Sequence, residues 1–493
     1  MVLKLADRAI ANNQVKCVII AAGMGRRQGP LTNSFINKFA VAKPLLPVAG
    51  RKLIDFTITM AENLGLPEVV ISAGQYWQQF QRMIAPSGGY YLATPASPKI
   101  RIDGVEAKDT MGNAFGPFVG NRKLNKDDTL IVLSGDIVTN IDLKPALEQH
   151  LKSNAAATVV ALPVEWTSDD WENRGSPIIE MKNGMPVNAE EKSRSDRLAY
   201  EEELKALFEK LRGRSLRVGK YYQRSHVSNM VQAEIRRMER ENCRSNYSIT
   251  SVYFFKASLV MDIVPNLTSL DYDGEDRFSD FGFHLFHLLA DKKYEKTDSQ
   301  RLKNLIKKVQ DRRYPFFAYV PPATGIGGEQ LYWHDIYGPR KLWEINMLAL
   351  NENGLANSWV RERFHKTGWG WIGDNSHAPE EAQIGDIRER AYYQKGFSVV
   401  GSNVSLPSRV RISHSFLDDF TVLKPGTEVF NSVISPGQAR PTSSIGPISL
   451  VNCLMLGEGF PPDYADIDMI RDAIIFNVPY FDGFGMVSLQ SKV

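Results

Sequence analysis

Residues 15–22, VKCVIIAA, form a short, nearly unbroken apolar run rich in β-branched side chains, and the run stops at Gly23-Met24-Gly25-Arg26-Arg27. A strand buried on both faces needs that composition, and such strands sit inside parallel sheets covered by helices. Runs of similar texture follow at 68–74 (EVVISAG), 129–136 (TLIVLSGD), 157–164 (ATVVALPV), 251–257 (SVYFFKA) and 316–321 (FFAYVP). Helix-like stretches, among them 53–64 and 144–153, lie between several of them. This alternation predicts an α/β fold built on a mostly parallel sheet with crossover helices. A chain of 493 residues has room for about three units at roughly 150 residues each, and two large ones would also fit.

Two other textures interrupt the alternation. Between about 190 and 245 the chain is charged; Leu204, Leu207, Phe208 and Leu211 share one helical face, and a second polar helix is expected over 231–241. The basic residues between them, Arg212, Arg214, Arg217, Lys220 and Arg224, read as a solvated surface. This block is expected to be a helical insertion on the sheet domain. Turn formers in NENGLANS and TGWGWIGDNS mark a linker over 351–380. From about Gln383 onward, AQIGDI, SVVGSN, VSLPSR, VRISHS, TVLKPG, TEVFNS and VISPGQ place a small aliphatic residue about every six positions. That period suits a parallel β-helix, in which each short side of a triangular coil turns one aliphatic side chain inward. Tyr392-Tyr393-Gln394-Lys395 interrupts the pattern, and the tail from Phe460 has no clear repeat.

Composition removes several classes of function. Fifty-nine basic and 56 acidic residues leave a net charge of +3, too small a field for a nucleic-acid coat or a polybasic membrane anchor. Cys17, Cys243 and Cys453 lie far apart and offer no CxxC pair. No apolar stretch reaches the 18 or so residues of a membrane span, and the first fifteen residues carry Asp7, Asn12 and Asn13 where a signal peptide needs an apolar core. The expectation is a soluble, cytoplasmic protein without nucleic-acid or membrane partners.

The glycine turn at 21–32, AAGMGRRQGPLT, lets backbone N–H groups approach an anion. A Gly-x-Gly alone serves equally well as a tight strand-to-helix turn. A dinucleotide fingerprint would need glycine at position 28, where Gln28 stands, and a Walker loop would need Gly-Lys-Ser/Thr, which does not follow. Arg27 in the loop and Lys43 in the following AKPLLPVAGR instead suit a triphosphate whose charge must be neutralised.

GMGRRQGPLT followed by KPLLPVAGRKLID closely resembles the sugar-1-phosphate nucleotidyltransferases, whose pattern runs GxGxRLxPLT and then KPxxPVxG. Further segments resemble the family in order: GNA at 112–114, LSGDIVTNID at 133–142, EEKS at 190–193, SITSVYFF at 248–255 and DFGFHLF at 280–286. YWHDIYGPRKLWEINMLAL at 332–350 is most similar to the ADP-glucose pyrophosphorylase branch. The resemblance implies a Rossmann-like mixed sheet as catalytic domain over 15–350, then a left-handed parallel β-helix and tail over 381–493. It implies transfer of a nucleotidyl group from a nucleoside triphosphate, ATP in this branch, to a sugar 1-phosphate, here glucose 1-phosphate. The products would be pyrophosphate and a nucleotide sugar, as in glycogen biosynthesis. Mg²⁺ would be the cofactor and a homo-oligomer, commonly a tetramer, the assembly.

Carried over residue by residue, the resemblance assigns Asp136 and Asp335 to the metal. Asp136 lies at the carboxyl end of a strand, where ligands bind in open α/β sheets, although Gly-Asp also makes turns. Asp335 stands among Tyr332, Trp333 and Tyr337, where an idle buried carboxylate is costly. Gly23, Gly25, Gln75 and Gly112 would contact the nucleotide, and Arg27 and Lys43 its phosphates. Glu191, Lys192 and Ser251 would hold the sugar phosphate. Asp142 reads instead as a helix cap. Several positions depart from the family pattern: Arg26 and Gln28 in the loop, Ser193 for the proline of EKP, Thr250-Ser251 for Met-Gly, and Ile336-Tyr337-Gly338 for Val-Gly-Thr. A side chain at Ser251 narrows the room a glycine leaves for the sugar. These departures leave sugar identity open, along with a reading as a non-catalytic subunit that senses nucleotide. A hexapeptide acyltransferase is a further rival, resting on His414 in the repeat region; a lone histidine there is expected to be structural.

Overall fold

The first two elements already show the packing logic of the N-terminal part. Helix α1 (Leu5–Ala11) buries Ala6 and Ala9 and leads directly into strand β1 (Val15–Ala21). The computed structural model describes residues 4–21, 31–32, 41–73, 77–84, 90–91, 100–106, 124–163, 178–181, 214–222, 247–267, 289, 304, 307, 311, 314–336, 338–350, 364–367, 370–380, 382–384, 398–435, 449–456, 469–477 and 484–488. Contacts divide the chain into two compact units. One comprises Met1–Gly23, Thr57–Tyr91 and Lys99–Asp335, and the other Met24–Phe56, Leu92–Pro98 and Ile336–Val493.

After β1 the chain forms the hairpin β2 (Pro47–Val48) and β3 (Arg51–Lys52), then α2 (Leu53–Leu64), β4 (Glu68–Ala73), α3 (Trp77–Ile84), β5 (Tyr90–Tyr91) and β6 (Ile100–Glu106). Next come β7 (Thr129–Ser134), β8 (Ile137–Thr139), α4 (Leu143–Lys152), β9 (Ala157–Pro163), β10 (Ile178–Met181), β11 (Arg214–Tyr222) and β12 (Tyr247–Lys256). Helix α5 (Ala257–Leu267), β13 (Phe316–Val320), β14 (Trp333–Asp335) and α6 (Pro339–Leu350) complete this part.

The first unit is organised by one ten-stranded sheet in the order β10-β11-β13-β9-β12-β7-β1-β4-β6-β5. β6, β4, β1 and β7 run parallel, so the buried run at 15–21 is flanked on both sides as its composition demands. β12 is antiparallel to both β7 and β9, so the sheet is mixed and its parallel part is narrower than the strand–helix alternation implies. Helix α4 shows why its residues are helical. Asp142 accepts from the Lys144 backbone N–H at 2.9 Å as N-cap, and Leu143, Ala146, Leu147 and His150 fall on one buried stripe.

Residues 214–222 depart from the expected helical insertion. They form β11, antiparallel to β10 and β13. The physical reason is local: Leu216, Val218, Tyr221 and Tyr222 supply the branched and aromatic content of a strand, and reading the segment by its cations hid that. The expected helices on either side lie outside the described residues.

The second unit contains short strands that alternate between two sheets. β15 (His365–Lys366), β16 (Gly370–Ile372), β17 (Gln383–Ile384), β18 (Ser398–Val400), β19 (Arg411–Ser413), β20 (Phe416–Leu417) and β21 (Glu428–Phe430) come first. β22 (Val433–Ser435), β23 (Ser449–Val451), β24 (Leu454–Leu456), β25 (Met469–Arg471), β26 (Ala473–Asn477) and β27 (Phe484–Ser488) follow. β16, β18, β20, β22, β24 and β26 form one parallel ladder, and β17, β19, β21, β23 and β25 another. Parallel bridges from His377 to Ser405 and from Ser405 to Val422 add a third side.

The apolar recurrence explains this stack. Val400, Leu406 and Ile412 on one coil are followed 17 residues later by Leu417, Leu423 and Val429, and all of them join one buried cluster. The corners between the two ladders carry His414, Asn431, Asn452 and Asp472, each with positive φ (47°, 47°, 53° and 50°). Asn and Asp tolerate that conformation best among side-chain-bearing residues. Here they also bond along the stack: Asn452 donates to Asp472 at 2.9 Å, and Asn431 donates to Asn452 at 3.2 Å. Beside them Ser415, Ser432 and Cys453 form an inner ladder, in which the Ser415 hydroxyl accepts from the Ser432 N–H and the Ser432 hydroxyl from the Cys453 N–H.

Helix α6 is fastened within this second unit on two sides. The buried Asn346 amide accepts from the Ala49 N–H at 2.8 Å and donates to the Pro47 carbonyl at 3.1 Å, gripping the β2–β3 hairpin. The Trp343 indole donates to the Asn431 carbonyl at 2.8 Å, and His414 Nε2 lies 3.2 Å from the Met347 carbonyl. No helix among the described residues is long and apolar enough to cross a membrane.

Candidate functional site

β7 is a central strand, and the chain leaves its carboxyl end through Gly135-Asp136 before starting β8. The Gly135 N–H donates to the Ile20 carbonyl at 2.9 Å, which pins the turn to the end of β1. The Ser134 hydroxyl donates to Asp136 Oδ1 at 2.5 Å. A carboxylate bonded this way keeps one orientation, and its second oxygen is turned by the same constraint.

β8 pairs antiparallel with β14, with Asp335 opposite Ile137, His334 opposite Val138 and Trp333 opposite Thr139. Directly opposed Cα atoms lie about 5 Å apart and consecutive ones 3.8 Å, so the Cα atoms of Asp136 and Asp335 are within about 9 Å. Both aspartates are half-buried. The two carboxylate residues therefore share one end of the sheet.

The third described member of the expected site is Ser251. It lies where the register of β12 against β9 breaks, between Ile249 and Tyr253. Its φ is 61°, in the left-handed region natural to glycine. Thr250 anchors the break: its hydroxyl donates to the Val160 carbonyl at 2.9 Å, and its own carbonyl accepts from the Trp333 indole at 3.0 Å. The bulge carrying Ser251 is thus tied to the strand that ends in Asp335.

Lys43 opens a 3-10 turn over Lys43–Leu45, is half-buried, and belongs to the second unit. Gly23, Gly25, Arg27, Gln75, Gly112, Glu191 and Lys192 lie outside the described residues, as do Arg26, Gln28 and Ser193. Among the described residues no group of three or more His, Cys, Asp or Glu side chains is placed to hold a metal ion. A two-carboxylate set of hard oxygen donors fits Mg²⁺, which binds through one or two carboxylates and takes the rest of its octahedron from phosphate and water.

Sequence reasoning passed over the residues that join these pieces. Ser134, Thr139, Asn140 and Trp333 carry no charge, and only Asn140, a turn former after a short apolar run, gave a local signal. His414 has the structural role expected of it. It is fully buried, with Nδ1 3.2 Å from Asn431 Oδ1. Burial holds it below the ordinary histidine range, against the pull of its two oxygen partners.

A family model described as Nucleotidyl transferase matches residues 16–352. Among curated proteins, the chain is 22% identical over 427 residues to a glucose-1-phosphate adenylyltransferase of Bacillus cytotoxicus, covering 85% of this chain and 86% of that protein. It is 26% identical over 157 residues to a UTP–glucose-1-phosphate uridylyltransferase of Synechocystis, covering 30% of this chain and 38% of that protein. A glucose-1-phosphate adenylyltransferase 2 of Vibrio vulnificus is 32% identical over 157 residues, covering 30% of this chain and 36% of that protein. The match therefore spans little more than a third of the length of these last two relatives.

Proposed function

The chain belongs to the nucleotidyl transferase family, and from that premise we propose that it joins a nucleoside triphosphate to a sugar 1-phosphate and releases pyrophosphate. An oxygen of the sugar phosphate attacks the α-phosphorus in line; the bond from that phosphorus to the bridging oxygen breaks, and pyrophosphate leaves with the electron pair. The nucleophile is already an anion, so no general base is required. The chain's task is to hold two polyanions in line and offset their charge.

Asp136 and Asp335 would hold Mg²⁺, which when bound neutralises phosphate charge that would otherwise repel the incoming anion. Arg27 would grip the phosphates of the leaving pyrophosphate bidentately, and Lys43 would add a point charge. Gly23, Gly25 and Gly112 would let the backbone approach the nucleotide, and the Gln75 amide would read the base edge. Lys192 with Glu191 would orient the sugar phosphate, with Ser251 bounding the sugar side. The observation that carries this reading is the β8–β14 register, which sets Asp335 opposite the residue after Asp136 at the carboxyl end of β7.

ATP and glucose 1-phosphate are the proposed substrates, giving ADP-glucose, because the 332–350 segment resembles the adenylyl-transferring branch. Relatives named for uridylyl transfer make UTP the second candidate. We read the coil stack as a left-handed parallel β-helix, and the protein as a cytoplasmic homo-oligomer, a tetramer by resemblance, without nucleic-acid or membrane partners. The left-handed Ser251, where the family has glycine, favours one second reading, a subunit that binds nucleotide without turnover. A pyrophosphate-release screen of ATP, UTP, GTP, CTP and dTTP against a panel of sugar 1-phosphates with Mg²⁺ tests both. Release confined to ATP with glucose 1-phosphate is expected; no release with any pair favours the second reading.

A further inference from the structure

β8 and β14 are three residues each and form a sheet of their own. Two strands that short are marginal by themselves, and a slip of one residue would turn every side chain of β14 to the other face. Asp335 would then leave the face it shares with the end of β7. Something outside the ladder must set the register.

Asn140, directly after β8 and only 6% exposed, makes three bonds to the 323–335 segment. Its side-chain amide donates to the Gln330 carbonyl at 2.9 Å and accepts from the Tyr332 N–H at 2.9 Å. Its backbone carbonyl accepts from the Ile326 N–H at 2.7 Å. Its neighbour Thr139 adds a fourth bond, from its hydroxyl to the Tyr332 carbonyl at 2.8 Å. The partner segment is preformed to receive them: Thr324 and Gln330 make an antiparallel bridge, and the Gly325 N–H donates to the Glu329 carbonyl at 2.8 Å. Gly325 is shaped by the contact, since a Cβ there would stand 2.3 Å from the Asn140 carbonyl oxygen.

We propose that Asn140, with Thr139, is the positioning element of the metal seat, fixing the β14 register so that Asp335 stands beside Asp136. Neither residue touches the ion. They act through the backbone of Tyr332, three residues before Asp335. The inference rests on the metal-seat reading of the two aspartates.

The test uses Mn²⁺ alone as probe, titrated into the full chain, with the bound fraction read from loss of the free-ion EPR signal. Circular dichroism confirms the fold of each variant at the temperature used. Asn140→Ala and Thr139→Val are expected to weaken Mn²⁺ binding about tenfold, as loss of supporting partners around metal ligands does. Thr139→Ser, which keeps the hydroxyl, should bind like the parent. A merely structural role would lower the melting temperature and leave the affinity of the folded protein unchanged. Parental affinity in folded Asn140→Ala and Thr139→Val, with loss of the ion in Asp136→Asn, overturns the proposal alone. Parental affinity in Asp136→Asn removes the metal seat and the proposal with it. If Asn140→Ala does not fold, the contrast between Thr139→Val and Thr139→Ser decides by itself.

Discussion

Ser251 sustains a backbone conformation that costs a side-chain-bearing residue about 1–2 kcal/mol, and it does so beside the strand that ends in Asp335. Replacing it with glycine removes the strain but adds some freedom to the unfolded chain. Ser251→Gly should therefore stabilise the protein by up to about 1 kcal/mol in urea titration, and should lower KM for the sugar 1-phosphate by opening the space next to the bulge. A destabilised variant would mean that the serine side chain makes a contact worth more than the strain. Asp136→Asn and Asp335→Asn keep the shape of each side chain and remove its charge. Turnover should fall about a thousandfold or more in each, with the fold intact by circular dichroism. Near-parental rates in either would detach that residue from the metal. Tyr319 is a contrasting case: its side chain is fully buried, its hydroxyl has no hydrogen-bond partner among the described residues, and burial raises its pKa. Its ring is part of the core.

Elements differ in how openly the sequence announces them. The strands β1, β4, β7, β9 and β13 and the helices α2 and α4 are visible in it because each carries its own periodicity or apolar run. The six-residue recurrence of the coils is visible for the same reason: Val400, Leu406 and Ile412 each sit over a counterpart one coil on. β8 and β14 are not visible, because three residues make no period and their pairing depends on bonds from Asn140 and Thr139 to residues about 190 positions away. The break in β12 at Ser251 is hidden likewise, since its cause is Thr250 bonding to Val160 and Trp333. Within the coils, burial predicts the energetics. Ile412→Ala should cost about 2–5 kcal/mol, because its side chain is wholly enclosed, whereas Val422→Ala, with 40% of its surface exposed, should cost under about 0.5 kcal/mol. Chemical denaturation of the two variants measures the difference; equal losses would show that the coils do not fill their interior as the buried cluster indicates.

For the molecule as a whole, buried imidazoles tie stability to acidity, with His150 foremost and His414 acting in the same direction. His150 packs inside α4, with Nδ1 2.8 Å from the Thr158 hydroxyl, and burial, aided by the Lys256 ammonium, pulls its pKa down to about 3. An unfolded chain takes up that proton near pH 6.5. Between those values the unfolded state holds more protons, so stability falls as pH falls from about 6.5 toward 3, and the penalty is absent above 6.5. Urea midpoints measured from pH 7.5 to 4.5 should drop for the parent and drop less for His150→Gln. Parallel curves for the two proteins would assign the acid sensitivity to other groups.

The stacked corners also govern which changes of length the C-terminal part can absorb. Where consecutive coils are 17 residues long, every inward side chain and every corner residue is counted from the coil below. Removing a block of that size would re-join the chain in phase, shortening the column by one storey. Removing one residue more or fewer would turn aliphatic side chains to water and set a branched residue at a left-handed corner. Departures from the count occur where the connections run longer, between β17 and β18, between β22 and β23 and between β24 and β25. Growth of this column over generations is thus expected in whole storeys or at those three landings, and nowhere between.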